Sequence, residues 1–517
     1  MSAGEIPTLA ADALAVIGNG RAIDRAAVPE LPLEELQREI LDAVAREQRV
    51  VALFASGDPD PEIVHLLAVL ADDRHGRLRL GRTRVRGERF PSLTPRCAQV
   101  HLFEREIAEQ FGLEAVGHPW PKPVRHEAAH RTRRAGRAAA DGAPPSIGGA
   151  EFYRVEGEEV HEVAVGPVHA GIIEPGHFRF QCHGEHVFHL EIALGYQHRG
   201  VERALVGGPS LRSIHHAETL AGDTSVGHAT AHCQVLEALA RCQKPPRAQA
   251  LRGIALELER LANHVGDLGA LANDVAFLPT ASYCGRIRGD LLNMTATLCG
   301  SRFGRGLIRP GGARFDLDAA QVDDLLRRLD EAEGDAANAI ELLWDTPSVM
   351  ARFEDTGSLP REVALELGMV GPAARACGLQ RDARHDQPSG IFRFAHIPIS
   401  TWQTGDVFAR AYVRWLEVQR SIAFVREQLR ALPPGEIRSP LRELAPDQIA
   451  VALVEGWRGE LCHVALTGPT GRFERYKIVD PSFHNWMGLA YALREQQISD
   501  FPLCNKSFSL SYCGHDL

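Results

Sequence analysis

VGPVHAGIIEPGHFR, at Val165–Arg179, is the first of three stretches that together predict the fold of this 517-residue chain. The second is LGYQHRGVE at Leu194–Glu202, and the segment between them has the pattern of a β-hairpin. The third is DFPLCNKSFSLSYCGHDL at Asp500–Leu517. No two of the ten cysteines form a C-x-x-C pair. The chain therefore lacks the thiolate spacing of zinc fingers and ferredoxins, and its cysteines are predicted to be reduced thiols in the core.

The composition excludes several classes of protein. A length of 517 residues allows two or three domains, and 44% apolar with 24% charged residues is ordinary for a soluble globular protein. The net charge of −10 argues against a nucleic-acid-binding protein. No apolar run approaches the roughly 18 residues of a membrane span, and the N-terminus has no secretory signal pattern. A cytoplasmic location is therefore expected.

The first 123 residues are predicted to form a small α/β domain. Leu33–Ala45 has apolar residues at helical spacing, and strand-like runs follow at Val50–Ala55 and Leu78–Val85. A proline-marked turn leads into a helix predicted from Ala98 to Phe111, with Gly112 as its stop.

Residues 124–149, VRHEAAHRTRRAGRAAADGAPPSIGG, are predicted to be a flexible basic linker. They are small, basic and rich in glycine and proline, and they have no apolar period. The five arginines could contact acidic lipid or RNA, but charge runs usually remain solvated.

Residues 150–517 are predicted to form a large, mainly helical domain with peripheral β-hairpins, which makes the chain α+β. Phe152–Val165 alternates as strands do. Three apolar stripes with helical spacing lie at Leu251–Val265, Val322–Leu329 and Phe408–Leu429. Further strands are predicted at Ile449–Val454, Cys462–Thr467 and Phe473–Val479.

The N-terminal domain resembles the small hydrophilic subunit of respiratory complex I. That family has an F-E-R-E helix followed by a G-H-P turn, and here FEREIAEQFGL precedes GHP at Gly117–Pro119. The resemblance is clearest over Phe90–Pro119.

The C-terminal domain resembles the quinone-site large subunit of complex I and the large subunits of nickel–iron hydrogenases. The motifs, in chain order, are GPVH (Gly166–His169), GYQHRGVE (Gly195–Glu202), LELERLANH (Leu256–His264), IRPGG (Ile308–Gly312), GDVFARAYVR (Gly405–Arg414), RGEL (Arg458–Leu461) and RYKIVDPSF (Arg475–Phe483). Fusion of the two modules is characteristic of the formate-hydrogenlyase, hydrogenase 3/4 type of membrane hydrogenase. The block EPGHFRF (Glu174–Phe180) also resembles that group more than complex I.

The resemblance also identifies which metal ligands are missing. Hydrogenases of this group hold nickel and iron with two cysteine pairs. With the family's histidine aligned to His228, the first pair falls on Ala221 and Thr224. The C-terminal pair falls on Ser511 and Gly514, with Cys513 one residue away. Nickel–iron chemistry needs several soft ligands, so the chain is expected to hold no metal.

Other residues are placed near the cleft by the same resemblance. Glu174 corresponds to a proton-transfer group, beside His177 and Arg179; the alternative is a salt bridge between Glu174 and Arg179. His169 or His177 would approach a quinone head group. The tyrosine that would bind the quinone oxygen is replaced near Gly222.

Two further residues are candidates for contact with a cluster in another subunit. His228 would lie near the iron–sulfur cluster of the adjoining subunit and tune its potential. Arg309 would pair with an acidic group or approach the subunit junction. A dense histidine run is either a metal or proton-relay cluster or a set of structural side chains; it comprises His169, His177, His183, His186, His189 and His198.

Three functions remain open. The resemblance implies a peripheral-arm subunit of a complex I-like or hydrogenase-like membrane complex, which passes electrons from a partner's iron–sulfur cluster to quinone or another small acceptor. The alternatives are a true, nickel-containing hydrogenase large subunit and a non-catalytic scaffold. The implied partners are a small iron–sulfur subunit, a ferredoxin-like subunit and antiporter-like membrane subunits. They would hold the chain on the cytoplasmic face of the inner membrane. No cofactor is expected to be covalently bound.

Overall fold

The computed structural model describes residues 13–127, 151–171 and 173–517. Most of the predicted linker, residues 128–149, therefore lies outside the described residues. The described part is α+β, as predicted: a small strand-rich N-terminal unit packs against a larger, mainly helical unit.

An antiparallel sheet with strand order β1-β5-β4-β3 forms the N-terminal unit. Helix α1 presents Leu36, Ile40 and Ala43 to this sheet, because spacings of four and three residues lie on one helical face. The predicted helix is confirmed, and both predicted strands are confirmed and longer. The elements are β1 (Ala15–Ile17), β2 (Arg21–Asp24), α1 (Leu33–Ala45), β3 (Arg49–Gly57), β4 (Ile63–Asp72), β5 (Arg77–Arg86), β6 (Arg89–Pro91), α2 (His101–Phe111) and β7 (Glu114–Val116).

Helix α2 ends where the sequence predicts. Gly112 caps it with a φ of +66°, a left-handed conformation that glycine adopts without strain. The predicted start at Ala98 is a short 3-10 turn, so the α-helix itself begins at His101.

A three-stranded antiparallel sheet opens the larger unit, with order β10-β9-β8. Its strands are β8 (Val160–Val165), β9 (His177–His183) and β10 (His186–Ala193). The strand predicted over Phe152–Val165 is wrong before Val160. Residues 151–159 form no strand, and Glu159 has a φ of +66°, which breaks an extended run.

Long helices form the main core of the larger unit, where α5, α6, α7, α8 and α13 pack in one buried cluster. The three predicted helical stripes are confirmed within α6, α8 and α13. The elements are α3 (Val201–Leu205), α4 (Ser213–Glu218), α5 (Ser225–Leu239), α6 (Pro246–Asp274), α7 (Leu278–Cys299), β11 (Ile308–Arg309), β12 (Gly312–Ala313), α8 (Ala319–Trp344), α9 (Pro347–Phe353), α10 (Arg361–Glu366), α11 (Gly371–Ala376), α12 (Ala383–Asp386) and α13 (Val407–Arg430).

A second four-stranded antiparallel sheet joins the two units, with order β15-β14-β13-β2. The three predicted C-terminal strands are confirmed, and the fourth strand comes from the N-terminal segment: Arg21 lies opposite Val451 and Asp24 opposite Gln448. The remaining elements are β13 (Gln448–Gly456), β14 (Gly459–Thr467), β15 (Phe473–Val479), α14 (Pro481–Ala492), α15 (Phe501–Phe508) and α16 (Tyr512–Asp516). Apolar residues of β13 and β14 pack in the same buried cluster as the N-terminal sheet.

Candidate functional site

Two arginines bring the predicted ligand positions together. The turn between α4 and α5 carries Ala221 and Thr224, and Ser511 and Gly514 lie at the start of α16. Arg199 donates to the carbonyl of Leu220 at 2.9 Å and to that of Cys513 at 3.2 Å. The two segments therefore lie side by side, and the region between them is called the cleft below; Ala221, Thr224 and Ser511, which border it, are all buried.

The second arginine, Arg458, closes the turn over this cleft. It binds both carboxylate oxygens of Asp223, at 2.5 and 2.8 Å, and reaches the hydroxyl of Thr224 at 3.3 Å and the carbonyl of Ser509. Burial alone would raise the pKa of Asp223, but Arg458 holds it below its usual value. Charge-assisted bidentate pairs of this kind are strong and fix geometry.

The side chains at the four ligand positions are used for other purposes. Ser511 caps α16, because its Oγ accepts the amide of Gly514 at 2.9 Å. Thr224 donates to Asp223 at 3.3 Å, and Ala221 has no donor atom. At Gly514 an added Cβ would lie 2.6 Å from Oδ2 of Asp480. Asp480 thus occupies the space into which a longer side chain at position 514 would extend.

Cys513 carries the thiol nearest to these positions along the chain. It is 7% exposed, and its Sγ lies 3.4 Å from Oγ of Ser511. Burial and the neighbouring Glu174 carboxylate raise the pKa of the Cys513 thiol to about 11. Since the thiolate is the form that binds metal, a neutral thiol here is a poor ligand.

Glu174 connects the first hairpin loop to the cleft. It is half-buried, and its Oε2 accepts the amides of Tyr512 at 3.1 Å and Cys513 at 3.5 Å. A Cβ at Gly176 would lie 2.5 Å from the Tyr512 ring, so the loop packs directly on α16. The structure therefore brings together Glu174 and Cys513, which belong to separate motifs in the sequence.

The other loop candidates bind partners other than Glu174. His169 shares a 2.9 Å hydrogen bond with the carbonyl of Gly176. Arg179 donates to Nε2 of His177 at 3.1 Å, pairs with Glu162 and stacks on Phe152. Burial lowers the pKa of His177. The salt bridge considered between Glu174 and Arg179 is replaced by the pair between Glu162 and Arg179.

The histidine run is spread along the hairpin and the following loop. His183 lies beside Glu159, and His198 shares a 2.8 Å hydrogen bond with the carbonyl of Asp516. Across residues 13–127, 151–171 and 173–517, no three histidine, cysteine, aspartate or glutamate side chains are grouped to hold a metal ion. All ten cysteines are free, and eight are buried.

His228 is fully buried and uses both ring nitrogens inside the chain. Its Nε2 lies 3.2 Å from Oδ2 of Asp480, and its Nδ1 lies 3.1 Å from Nε2 of His463. Neither nitrogen remains for a cluster in another subunit. Arg309 has an acidic partner, Glu218, at 3.0 Å, which is one of the two arrangements considered for it.

Four residues of this site were not identified as site residues from the sequence: Arg199, Arg458, Asp223 and Asp480. Arg199 and Arg458 stand inside the GYQHRGVE and RGEL motifs, so the motifs were the available signal. Asp480 had the signal of an aspartate before proline at the start of a helix, which is an N-cap pattern. Its second role, against Gly514, depends on a contact across 34 residues and has no local signature.

None of the helices among the described residues is long and apolar enough to cross a bilayer. The long helices of the larger unit pack in its buried core.

Two protein families match the chain. The model of the respiratory-chain NADH dehydrogenase 30 Kd subunit matches residues 35–130, and that of the 49 Kd subunit matches residues 274–449. The carbon monoxide-induced hydrogenase of Rhodospirillum rubrum is 32% identical over 344 residues, 66% of this chain and 95% of that protein.

Relatives extend across both modules. Formate hydrogenlyase subunit 5 of Escherichia coli is 30% identical over 446 residues, 83% of this chain and 77% of that protein. NADH-quinone oxidoreductase subunit 4 of Thermus thermophilus is 28% identical over 369 residues, 66% of this chain and 90% of that protein. The chain therefore belongs to the superfamily of oxidoreductase subunits that unites membrane-bound hydrogenases with respiratory complex I, and it carries the 30 Kd and 49 Kd modules of complex I in one polypeptide.

Proposed function

We propose that this protein is a nickel-free electron-transfer subunit in the peripheral arm of a complex I-like or hydrogenase-like membrane complex. It would receive electrons from an iron–sulfur cluster in a neighbouring small subunit and pass them, at its cleft, to quinone or another small acceptor. A ferredoxin-like subunit and antiporter-like membrane subunits would complete the assembly on the cytoplasmic face of the inner membrane.

The four ligand positions carry this proposal. Nickel and iron require soft thiolates in fixed geometry, whereas Ala221 has no donor and Thr224 and Ser511 offer hydroxyls already hydrogen-bonded. Gly514 has no side chain, and a cysteine there would collide with Asp480. The residues present do not fit a nickel–iron centre.

Access from the loop side supports a redox role for the cleft. Glu174 reaches from a half-exposed position in the hairpin loop to the amides of α16. Val168 and Ile173 in the same loop are 77% and 55% exposed, so the loop that carries Glu174 also exposes two apolar side chains. An apolar acceptor that takes up protons would find both apolar surface and a carboxylate on this loop.

The test is metal analysis and turnover of the complex purified through a tag on this subunit. The expected result is iron without nickel, and reduction of a short-chain quinone that Glu174→Gln lowers at least tenfold while the subunit composition stays unchanged. Glu354→Gln, at an exposed glutamate that follows α9, is the matched control. Stoichiometric nickel would overturn the proposal and favour the hydrogenase alternative.

A scaffold without chemistry is the second candidate, and one observation favours it. Ala221, Thr224 and Ser511 are 0%, 1% and 2% exposed, so the cleft is closed around the former ligand positions. A scaffold predicts that Glu174→Gln changes neither electron transfer nor assembly. Loss of turnover with intact assembly would exclude it.

A further inference from the structure

Five buried side chains form one continuous hydrogen-bonded chain that ends at the cleft. Asp480 Oδ2 lies 3.2 Å from Nε2 of His228, and Nδ1 of His228 lies 3.1 Å from Nε2 of His463. Nδ1 of His463 lies 3.0 Å from the Tyr476 hydroxyl, which lies 2.8 Å from Nδ1 of His232. Asp480 is 1% exposed and the other four are 0% exposed. Buried polar groups destabilise a protein unless each is paired, so a buried series of five such side chains points to a function.

The carboxylate at one end fixes the direction of every bond. Burial raises the pKa of Asp480, whereas the hydrogen bond from His228 lowers it. The result is a pKa below the usual value of an aspartate. An ionised carboxylate only accepts, so with a neutral ring His228 donates from Nε2 and accepts at Nδ1. His463 therefore donates from Nε2 and accepts at Nδ1. Tyr476 donates to His463, and His232 donates from Nδ1 to Tyr476.

At the far end of this hydrogen-bonded series, the last atom is then an acceptor to which nothing donates. With its proton on Nδ1, His232 keeps a lone pair on Nε2, and that atom is buried without a hydrogen-bond partner. Burial lowers the pKa of His232 to about 4, and His216 on α4 adds to the effect, so His232 is neutral near pH 7. Burial and the neighbouring His228 and His232 also lower the pKa of His463, against an opposing effect of Glu202. Burial raises the pKa of Tyr476.

We propose that these residues are a proton relay that delivers protons from the α4–α5 side of the molecule to Asp480 at the cleft. The relay rests on the proposed function, because reduction of a quinone-type acceptor consumes protons. It gives the cleft a second proton source besides Glu174: Asp480 lies beside Gly514, whereas Glu174 binds the amides of Tyr512 and Cys513.

Each transfer is balanced in bonds. An N–H bond forms at Nε2 of His232, and its Nδ1–H breaks as that proton passes to the Tyr476 oxygen. The Tyr476 proton moves to Nδ1 of His463, and the Nε2 proton of His463 moves to Nδ1 of His228. The Nε2 proton of His228 then binds the Asp480 carboxylate. One proton enters, one arrives, and every ring ends in its other tautomer.

Replacement of the terminal carboxylate tests whether the five groups act as one chain. In Asp480→Asn the amide nitrogen would stand where Oδ2 now meets His228, and it would donate instead of accept. The relay predicts that all three histidines then change tautomer: His228 and His463 to Nδ1–H, and His232 to Nε2–H. The measurement is 15N NMR of the full chain labelled at histidine, assigned by single histidine substitutions. A change confined to His228 would overturn the proposal.

Interruption at the centre separates a relay from a static network. Tyr476→Phe keeps the ring and removes the hydroxyl, so in that background Asp480→Asn should alter His228 and His463 but leave His232 unchanged. Tyr476→Phe should also slow exchange of the His228 N–H with D2O at least tenfold, while backbone amides of β14 exchange at wild-type rates. Tyr412→Phe, which removes the same atom from a half-buried tyrosine of α13, should change neither.

The outcomes distinguish failure of the relay from failure of the proposed function. Unchanged His228 exchange in Tyr476→Phe would overturn the relay whatever the metal content and turnover of the complex. Correct tautomers and slowed exchange would support the relay even if no acceptor is reduced. Where turnover is measurable, Tyr476→Phe should lower kcat and raise the solvent isotope effect, with KM unchanged. An unaltered isotope effect would overturn the role in turnover.

Discussion

At the scale of single residues, the contact between Gly514 and Asp480 leaves no room for a ligand side chain at the fourth position. Asp480 has three uses: it caps α14 through the amide of Ser482 at 2.8 Å, it accepts from His228, and it fills the space beside Gly514. A side chain at position 514 would displace a carboxylate on which a helix cap and a buried histidine both depend. Restoration of one cysteine would therefore not restore a ligand.

This contact predicts a coupled pair of substitutions. Gly514→Ala should lower the free energy of unfolding by about 1–3 kcal/mol, the usual cost of overpacking. In an Asp480→Ser background, where the cap survives on a shorter side chain, the same change should cost less than about 0.5 kcal/mol. Denaturant titration measures both. Gly222→Ala is the control, because an added Cβ there meets nothing within 4 Å. Equal costs in the two backgrounds would contradict the contact.

Glu259 gives a pH-dependent prediction. It is 8% exposed on α6, and burial raises its pKa to about 8, although its oxygens accept the amides of Val226 at 2.7 Å and Gly227 at 3.1 Å. Its unfolded pKa is near 4.3. The folded protein thus binds this proton more tightly. The stability that Glu259 contributes is complete below about pH 4 and is lost as the pH rises through 8.

The measurement is the Tm of wild type and Glu259→Gln by differential scanning fluorimetry from pH 5.5 to 8.5. Wild type should lose about 2–5 °C relative to the variant over this range, since the variant cannot ionise. Glu354→Gln, at an exposed position, should run parallel to wild type. Parallel curves for Glu259→Gln would mean that the two amides, rather than burial, set its protonation.

At the scale of elements, the sheet that joins the two units depends on a strand of four residues, β2, and on one side chain beyond it. Asn19 accepts the amide of Leu453 at 2.7 Å and donates to the carbonyls of Leu453 at 2.9 Å and Gln387 at 2.6 Å. It thus extends the pairing of β13 beyond the Arg21 end of β2, before that strand begins. A side-chain amide can do this because it has both a donor and an acceptor.

Asn19→Ala should therefore destabilise the protein by about 2 kcal/mol, since buried backbone groups of β13 lose their partners. Asn19→Asp keeps the acceptor for the Leu453 amide but not the two donors, so it should rescue at most a part. Loss of hydrogen-exchange protection at the Leu453 amide is the direct measurement. Asn338→Ala, at an exposed helical position, should be near neutral. Full protection of Leu453 in Asn19→Ala would contradict the role of this side chain.

Elements with a strong period could be predicted from sequence, and elements defined by distant partners could not. α1 and α13 carry apolar residues on one face, so their bounds follow from local spacing. Strand β2, RAID, is too short for a period, and its partner β13 lies more than 400 residues away. The segment before Val160 alternates in sequence but pairs with no strand, because alternation alone does not supply a neighbouring strand.

The candidate site divides in the same way. Ala221, Thr224, Ser511 and Gly514 were found because sequence motifs place them, and the structure brings their two segments together. The buried chain of Tyr476 and three histidines was not found, since its members come from α5, β14 and β15 and follow no common spacing. His228 was named for a role outside the chain, and its neighbours supply a different one.

At the scale of the whole molecule, the two modules behave as one folding unit. Apolar residues of β3, β4, β5 and α2 share a buried cluster with those of β13 and β14. Lys477 on β15 binds Glu106 of α2 at 2.6 Å and Glu202 of α3 at 3.1 Å, and all three are buried. Burial of an unpaired charge is far more costly than burial of a pair, and the ion pair between Lys477 and Glu106 joins the two modules.

Cleavage between the modules should therefore leave them together. A protease site inserted within residues 128–150, which lie outside the described part of the chain, would produce two fragments. They should co-elute in gel filtration at micromolar concentration and separate only in denaturant, because a shared core and buried ion pairs remain after the cut. Lys477→Met removes the lysine from Glu106 and Glu202, which keep Arg125 and Arg475 as partners, and should weaken the association by about 1.5–3 kcal/mol. Lys506→Met, at a partly exposed lysine that pairs with Asp267, is the control and should not. Separation of the wild-type fragments would mean that covalent linkage, rather than the shared core, holds the modules together.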